Sequence, residues 1–479
     1  MKNRSIWIDT KYNASKPLKE NKTVDVLIIG GGMTGMNVAY NLLNSNLKVC
    51  LVEKNKIGEG VTSRSTAKIT YLQELIYTKL KKYHSESISK MYLDSQIDAI
   101  KTINKIISDN NIECNLEQVK SYVYTNKNSE INNIYEEYKL LKEFNIDIKE
   151  GSNINCLKSI YVDDTFVFNP IKYLVGLKNI MKNKIDIYEK TKVSTIKKEK
   201  DCYKCVVNGY EVKTKYIVVS THYPYFLKPF FFPLKCYLEK SYICAYKVDK
   251  DYKYSSITSN IPTFSNRFYN DKGKIYQIIL SNSHNLCVDN NDYKNFNELC
   301  KDKKISFIWS NKDIITSDYL PYIGLIKDNF LIATGYNTWG MTNSTIAGSV
   351  ISDIITGKNN KYINLFDPKR NINIGKIINF PLILGSNIKS YIGSKINKNK
   401  SWYSDKVKFT TINGENVAIY TDESNDTHIV YNKCPHMKCG LTFNEVEKTW
   451  DCTCHGSRFD IDGKCIEGPS NYDITYKKI

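Results

Sequence analysis

Four residues near the C-terminus have the types and spacing to hold metal. Cys434 and His436 form a C-x-H pair, Cys452 and His455 form a C-x-x-H pair, and fifteen residues separate the two. Thiolate and imidazole are the side chains that iron and zinc favour. A mixed zinc site usually takes its ligands as C-x-x-C followed by H-x-x-x-H or a slightly longer spacing, whereas here each short loop carries one ligand of each kind. Of the 14 cysteines, five (Cys434, Cys439, Cys452, Cys454 and Cys465) crowd this stretch, and the others scatter through the preceding chain.

A second constellation lies near the start. Gly30-Gly31-Gly32-Met33-Thr34-Gly35 follows the apolar, β-branched run Val24 to Ile29 and precedes an apolar-periodic segment to Leu43; a second strand, Lys48 to Val52, ends at Glu53. This is a βαβ unit with a G-x-G-x-x-G turn. Gly30 makes the turn, Gly32 lets the backbone approach a pyrophosphate, and Gly35 permits close helix-to-strand packing; Glu53 can accept from ribose hydroxyls. FAD, NAD and NADP share this fingerprint.

The elements needed to position these groups are legible in outline. At 479 residues the chain has room for two to four domains at about 100–200 residues each. Leu75 to Ile107, Ile131 to Phe144 and Ser344 to Thr356 read as helices, and Cys202 to Val207 with Glu211 to Ser220 read as a hairpin around Asn208-Gly209. No internal repeat is evident. Residues 359–400, rich in Lys, Asn, Gly and Ile with Pro368 and Pro381, read as a connector. Beyond them Val407 to Tyr431 shows short alternating strands broken by Asn413-Gly414, the texture of a small all-β module.

Charge excludes less than it first suggests. Lys+Arg 68 against Asp+Glu 50 gives +18, yet only Arg4, Arg64, Arg267, Arg370 and Arg458 are arginines, and base or phosphate reading favours arginine forks. With no nucleic-acid-binding motif, no nucleic-acid partner is expected. Met1 to Lys16 lacks an apolar signal core, and the nearest approach to a spanning segment, Ile374 to Ile392, is broken by lysines, Pro381 and glycines. The expected location is the cytoplasm.

Further segments resolve the choice of nucleotide. Gly58 to Thr70 just after Glu53, Val218 to Pro224, Asp318 to Gly324 and Ala333 to Thr342 together resemble the glycine/D-amino-acid oxidase (DAO) family of flavoproteins. That resemblance implies FAD, with Ser63, Thr66 and Thr70 supplying hydroxyls and the turn Gly335, Trp339, Gly340, Met341 and Thr342 closing on the flavin edge. Some relatives attach flavin through His or Cys. Neither occurs in 58–70 or 335–348, so non-covalent FAD is expected.

The C-terminal pattern resembles the Rieske [2Fe-2S] family. By that resemblance Cys434 and Cys452 hold one iron and His436 and His455 the other, Cys439 and Cys454 form a disulfide tying the two loops, and Gly468-Pro469 belongs to a third loop over the cluster. Lys438 stands where the family commonly has Gly, and Thr453 where it has Pro. Ser457 keeps a hydroxyl for a cluster sulfur, but Phe459 replaces the Tyr of high-potential members, so a lower potential is expected.

The resulting architecture is an α/β (α+β) Rossmann-type FAD body over 1–358 with an interleaved mixed-sheet substrate domain, then the connector and a small all-β Rieske domain over 401–479. Within the body, FAD-binding segments are expected at about 20–75, 160–235 and 317–358, and substrate-domain segments at about 76–159 and 236–316. Arg267, the lone arginine between Arg64 and Arg370, is a candidate fork for a substrate carboxylate, with His284 as a further catalytic candidate; a surface ion pair would explain Arg267 equally well. His222 is expected to pack beside the nucleotide, and the Cys202/Cys205 pair to be structural. The aromatic loop Phe226 to Leu234 fits either core or peripheral membrane contact beside a quinone pool. The expected activity moves electrons between a small amine or amino acid, FAD and the cluster, then to an external acceptor protein or quinone. A redox carrier or sensor, or a reductase running in reverse, is the alternative.

Overall fold

The structure is a computed structural model that describes residues 2–151, 154–224, 235–285, 296, 298–371 and 406–476. The aromatic loop and most of the connector lie outside the described residues.

Val26–Ile29 are buried, as a strand covered on both faces requires. Their strand, Lys22–Ile29, runs at the middle of an eight-stranded sheet, parallel to Val49–Val52 on one side and Tyr210–Val219 on the other. Phe330–Thr334 extends it in parallel beyond Tyr210–Val219, and Asp186–Tyr188 does so beyond Val49–Val52. The expected hairpin forms, Tyr203–Val207 against Tyr210–Val219, with Asn208 and Gly209 both at positive φ. Its second arm is also a central strand of the parallel sheet.

Two turn positions in this sheet need glycine. A Cβ on Gly35 would stand 1.9 Å from the Gly30 carbonyl oxygen; Gly30 itself sits at φ +110° with Ser220 O at 2.7 Å from its would-be Cβ. The helix Met33–Asn41 can therefore start directly on the strand end and pack against the buried helix Gly340–Thr356. The expected helix over Leu75 to Ile107 is two, Ile76–Tyr83 and Glu86–Asp109. The chain breaks at His84, and Ser85 caps the second helix by accepting from the Ile88 N–H at 3.2 Å.

A nine-stranded mixed sheet faces the first. Its core is Cys236–Lys247 between Ile305–Thr316 and Lys274–Asn285, and it continues through Phe264–Asp271, Tyr254–Thr258, Glu117–Thr125 and Lys158–Val167 to Lys68–Ile69. Lys158–Val167 and Lys68–Ile69 thus lie in this sheet, although the sequence groups them with nucleotide-binding segments. The connector begins docked: Leu365 and Phe366 are buried, and Arg370 grips Asp318 with two bonds of 2.7 and 2.8 Å. The C-terminal module has a three-stranded antiparallel sheet and a four-stranded one (Leu441–Asn444, Thr449–Cys452, Arg458–Phe459, Cys465–Glu467). Among the described residues no helix is long and apolar enough to cross a membrane.

Gly35→Ala is expected to force the helix off the strand end, costing about 2–3 kcal/mol and leaving the purified protein with less than half its flavin. Gly209→Ala, in open space at positive φ, should cost about 1 kcal/mol and keep the flavin. Thermal unfolding and flavin absorbance per chain measure both.

Candidate active site and metal centre

One continuous cavity runs from the Gly30–Gly32 turn to the face of the mixed sheet. At its first end the Glu53 carboxylate accepts from Gly31 N at 2.7 Å and Asn55 N at 2.8 Å, which fixes it beside the turn with acceptor capacity left for hydroxyls. Burial pushes this carboxyl up, and the two backbone donors pull it down. Gly32 caps the helix Met33–Asn41 without a side-chain bond, so helix N–H groups face the cavity, the arrangement that suits a pyrophosphate. Gly335, Trp339, Gly340 and Met341 line the same cavity, at the start of the helix Gly340–Thr356.

The hydroxyls divide. Thr66 lines the cavity, but Ser63, Thr70 and Thr342 do not. Ser63 donates to the carbonyls of Glu59 and Gly60, Thr70 accepts from Leu72 N, and Thr342 accepts from Gln73. Val61–Arg64 is a 3₁₀ turn in which Val61 and Thr62 line the cavity while the Ser63 hydroxyl turns back onto the preceding carbonyls. Thr62, missed in the sequence, accepts from Met33 N at 3.1 Å and so ties this segment to the nucleotide helix. Gly35 serves packing.

Arg267 does not reach the cavity. Its buried guanidinium donates to the carbonyls of Thr66 (2.9 Å), Ala67 (2.8 Å), Phe168 (3.1 Å) and Phe268 (3.1 Å), and it lies against Trp7 and Tyr269. The candidate carboxylate fork is thus a clamp on the cavity-lining Thr66-Ala67 backbone, with its Nε and Nη1 donors committed to main-chain carbonyls. His284 is likewise off the cavity wall: its ring stacks on Tyr242 while neighbouring Ser283 faces in, as strand alternation demands. What does line that end is charged. Glu74, Glu239, Asp313 and Lys68 all contribute, and burial moves Glu239 and Asp313 up to about 7 and Lys68 down to about 7. Strand alternation alone could have revealed Glu239 and Asp313, had the strands been assigned.

In the C-terminal module the loops Cys434–Cys439 and Cys452–Ser457 converge. The thiols of Cys434 and Cys452 lie within hydrogen-bonding reach of each other, and the His436 and His455 rings are 5.0 Å apart, nearly perpendicular. The Nδ1 atoms of both histidines are buried without a partner, a costly state for a polar atom unless a metal takes its lone pair. Two thiols and two unpartnered imidazoles therefore fit a two-iron cluster. The sulfurs of Cys439, Cys452 and Cys454 also lie within 4.8 Å of one another, but Cys439 and Cys454 are joined in a disulfide, which leaves Cys452 alone of the three as a thiolate ligand. Ser457 places its hydroxyl at Cys434 while accepting from Ser470 N at 2.9 Å. Lys438 adopts positive φ, which explains the glycine usual at this place.

The module sits on the cavity. Residues 466–468 and 470–471 line it, and the Tyr223 ring, also on its wall, is 6.0 Å from the His455 ring. Lys312 donates to Gly456 O at 2.7 Å, Lys54 to Cys465 O at 2.5 Å, and Glu447 bridges Arg64 (3.0 Å) and Arg458 (2.6 Å).

The family model described as FAD dependent oxidoreductase matches residues 25–354, and that of the Rieske [2Fe-2S] domain matches 395–476. The chain belongs to the DAO family of FAD-dependent oxidoreductases. Like a putative Rieske 2Fe-2S iron-sulfur protein, YhfW, of Bacillus subtilis (29% identical over 95% of this chain and 93% of that one), this DAO-family chain carries a Rieske domain at its end. It is also 20% identical to the gamma-glutamylputrescine oxidoreductase of Escherichia coli, over 72% of this chain and 87% of that one. Its fold matches glycine oxidase from Geobacillus kaustophilus with a TM-score of 0.61 at 15% identity, over 74% of this chain and all of that one. As a DAO-family member it binds FAD, and its Rieske domain binds a [2Fe-2S] cluster.

Two outcomes follow for this enzyme. Arg267→Lys should lower stability by about 3 kcal/mol, since a single ammonium cannot replace a fork on four carbonyls; chemical denaturation reads this directly. Ser457→Ala should lower the cluster potential by about 50 mV, equivalent to about 1.2 kcal/mol of hydrogen bonding favouring the reduced cluster, with the EPR signal retained. Protein-film voltammetry checks it.

Proposed function

We propose that this enzyme oxidises a small amine or amino acid at FAD and passes the electrons singly to its own [2Fe-2S] cluster, from which an external protein or quinone takes them. One observation carries the reading: the loop 466–471 of the cluster module is part of the cavity that holds the nucleotide turn, so both redox sites share one wall. The names of the relatives support an amine or amino acid as donor.

Bound FAD supplies a two-electron acceptor, and the cluster a one-electron carrier. The chain does the rest. Gly32 and the helix Met33–Asn41 hold the pyrophosphate, and Glu53 takes the ribose. Trp339, Gly340 and Met341 bound the flavin edge. Cys434, Cys452, His436 and His455 ligate the cluster, and Ser457 steadies Cys434. Tyr223 and residues 466–468 and 470–471 stand on the cavity wall on the side of the cluster loops, with the Tyr223 ring 6.0 Å from that of His455.

Anaerobic stopped-flow mixing with amines and amino acids tests this. Flavin bleaching should precede a reduced Rieske EPR signal, at a rate independent of protein concentration, and Cys434→Ser should still bleach but show no such signal. Cluster reduction that scales with protein concentration would mean transfer between molecules, and a flavin reduced only through the cluster would reverse the direction.

A further inference from the structure

The floor of the cavity on the mixed sheet carries an unusual cross-strand pattern. Strands Cys236–Lys247 and Ile305–Thr316 are antiparallel, and their register sets Glu239 directly opposite Asp313 and Ser241 directly opposite Asn311. All four line the cavity. Two carboxylates facing each other across a strand pair repel, and such pairs are destabilising when nothing lies between them. Around Glu239 the charged or titratable groups are Glu74, His284 and Lys79; around Asp313 they are Glu239 and Glu467. Lys68, the buried cation of this end, donates instead to Ser256 O at 2.9 Å and to the Ser265 hydroxyl. Lys312 is turned to the opposite face and Gly456.

The second observation is independent of charge. Ser241 and Asn311 are each only 4% exposed, and the Ser241 hydroxyl and the Asn311 side-chain carbonyl are buried without a hydrogen-bond partner. Asn311 spends its amide on Asp313 at 2.9 Å, which turns the carbonyl to the free side. Unpaired buried acceptors call for a donor, and an ammonium brings three. Directly opposed residues are about 5 Å apart and successive inward residues about 7 Å, so the four side chains are close enough to converge on one ammonium group. Among the described residues no arginine lines this cavity, and the fork that would have read a carboxylate, Arg267, is bound to backbone.

We propose that Glu239, Asp313, Ser241 and Asn311 form an ammonium-binding subsite, so that the electron donor is a cationic amine with no carboxylate on the carbon beside its nitrogen. This deepens the function proposed above and rests on it for the word donor. The subsite itself stands on the cross-strand register and the unpaired acceptors. Burial, with Glu74 beside Glu239 and Glu239 beside Asp313, raises both carboxyls to about 7 without a ligand, and a bound cation favours their charged forms.

tert-Butylamine separates the two readings, because its nitrogen-bearing carbon has no hydrogen and it binds without being oxidised. Calorimetric titration of the FAD- and cluster-loaded protein should show tert-butylammonium binding, weakened about 10- to 100-fold in Asp313→Asn and in Glu239→Gln, with glycine binding far more weakly. Both variants should fold, with unchanged or higher melting temperature, since each removes a repulsion. Equal binding by wild type and variants, or glycine binding tighter than tert-butylamine, would overturn the subsite. Binding as expected while n-butylamine fails to bleach the flavin would leave the subsite standing and sink amine oxidation.

Discussion

The arrangement depends on one buried charge cluster. Arg458 is almost fully buried in the cluster module, paired with Glu447 at 2.6 Å and Asp451 at 3.1 Å, and Glu447 also pairs with Arg64 from the body while accepting from Ser310 N at 3.1 Å. The guanidiniums hold both carboxyls well below the usual carboxylate range. Such a network adds little net stability against an apolar replacement, but it tolerates few geometries, since any other docking strands a charge away from water. Its contribution is position. It sets the Rieske loops against the cavity, and Arg64 is the last residue of the 3₁₀ turn that carries Thr62 to the nucleotide helix.

From that anchor the two halves of the enzyme share elements. The strand Ile305–Thr316 gives Ser310 to the charge cluster, Lys312 to the loop beside His455, and Asn311 and Asp313 to the cavity. Alternation makes this economical, because odd and even positions of one strand serve the substrate side and the cluster side. A shift of one residue in this strand would turn Asp313 towards the cluster and Lys312 into the cavity, so the strand pairing fixes the chemistry on both faces.

The sequence carried the parts of the site that are local. The G-x-G-x-x-G turn, Glu53 and the Cys434, His436, Cys452 and His455 set are recognisable from short spacings, which survive folding, whereas the Cys439–Cys454 bridge was implied by the family resemblance and is formed in the structure. The hairpin at Asn208-Gly209 and the helix to Thr356 were legible for the same reason. Two helices read as one because nothing in the apolar period marks the break at His84. Roles that depend on which way a side chain points were not legible. Ser63, Thr70 and Thr342 have the right chemistry and the wrong face, and Arg267, conspicuous as a solitary arginine, serves carbonyls contributed by residues up to 201 positions away. The acids of the cavity were missed because the strands Cys236–Lys247 and Ile305–Thr316, whose alternation and pairing set them face to face, were not assigned from the sequence.

Arg267 and the pair Glu239/Asp313 show why rarity is a weaker guide than compensation. A buried guanidinium whose Nε and Nη1 are engaged by four main-chain carbonyls is held as a structural clamp, whatever its solitude in the sequence. Two opposed carboxylates beside a hydroxyl and an amide carbonyl that lack donors are not satisfied, and folding alone gains nothing by placing them there. Since native structures leave few buried polar groups unpaired, an unbalanced set inside a cavity identifies the missing partner by what it must supply: positive charge and hydrogen-bond donors in a volume of a few ångströms. An ammonium has these properties and a carboxylate has neither, and this imbalance is the ground on which the proposed subsite favours a cationic amine over an amino acid.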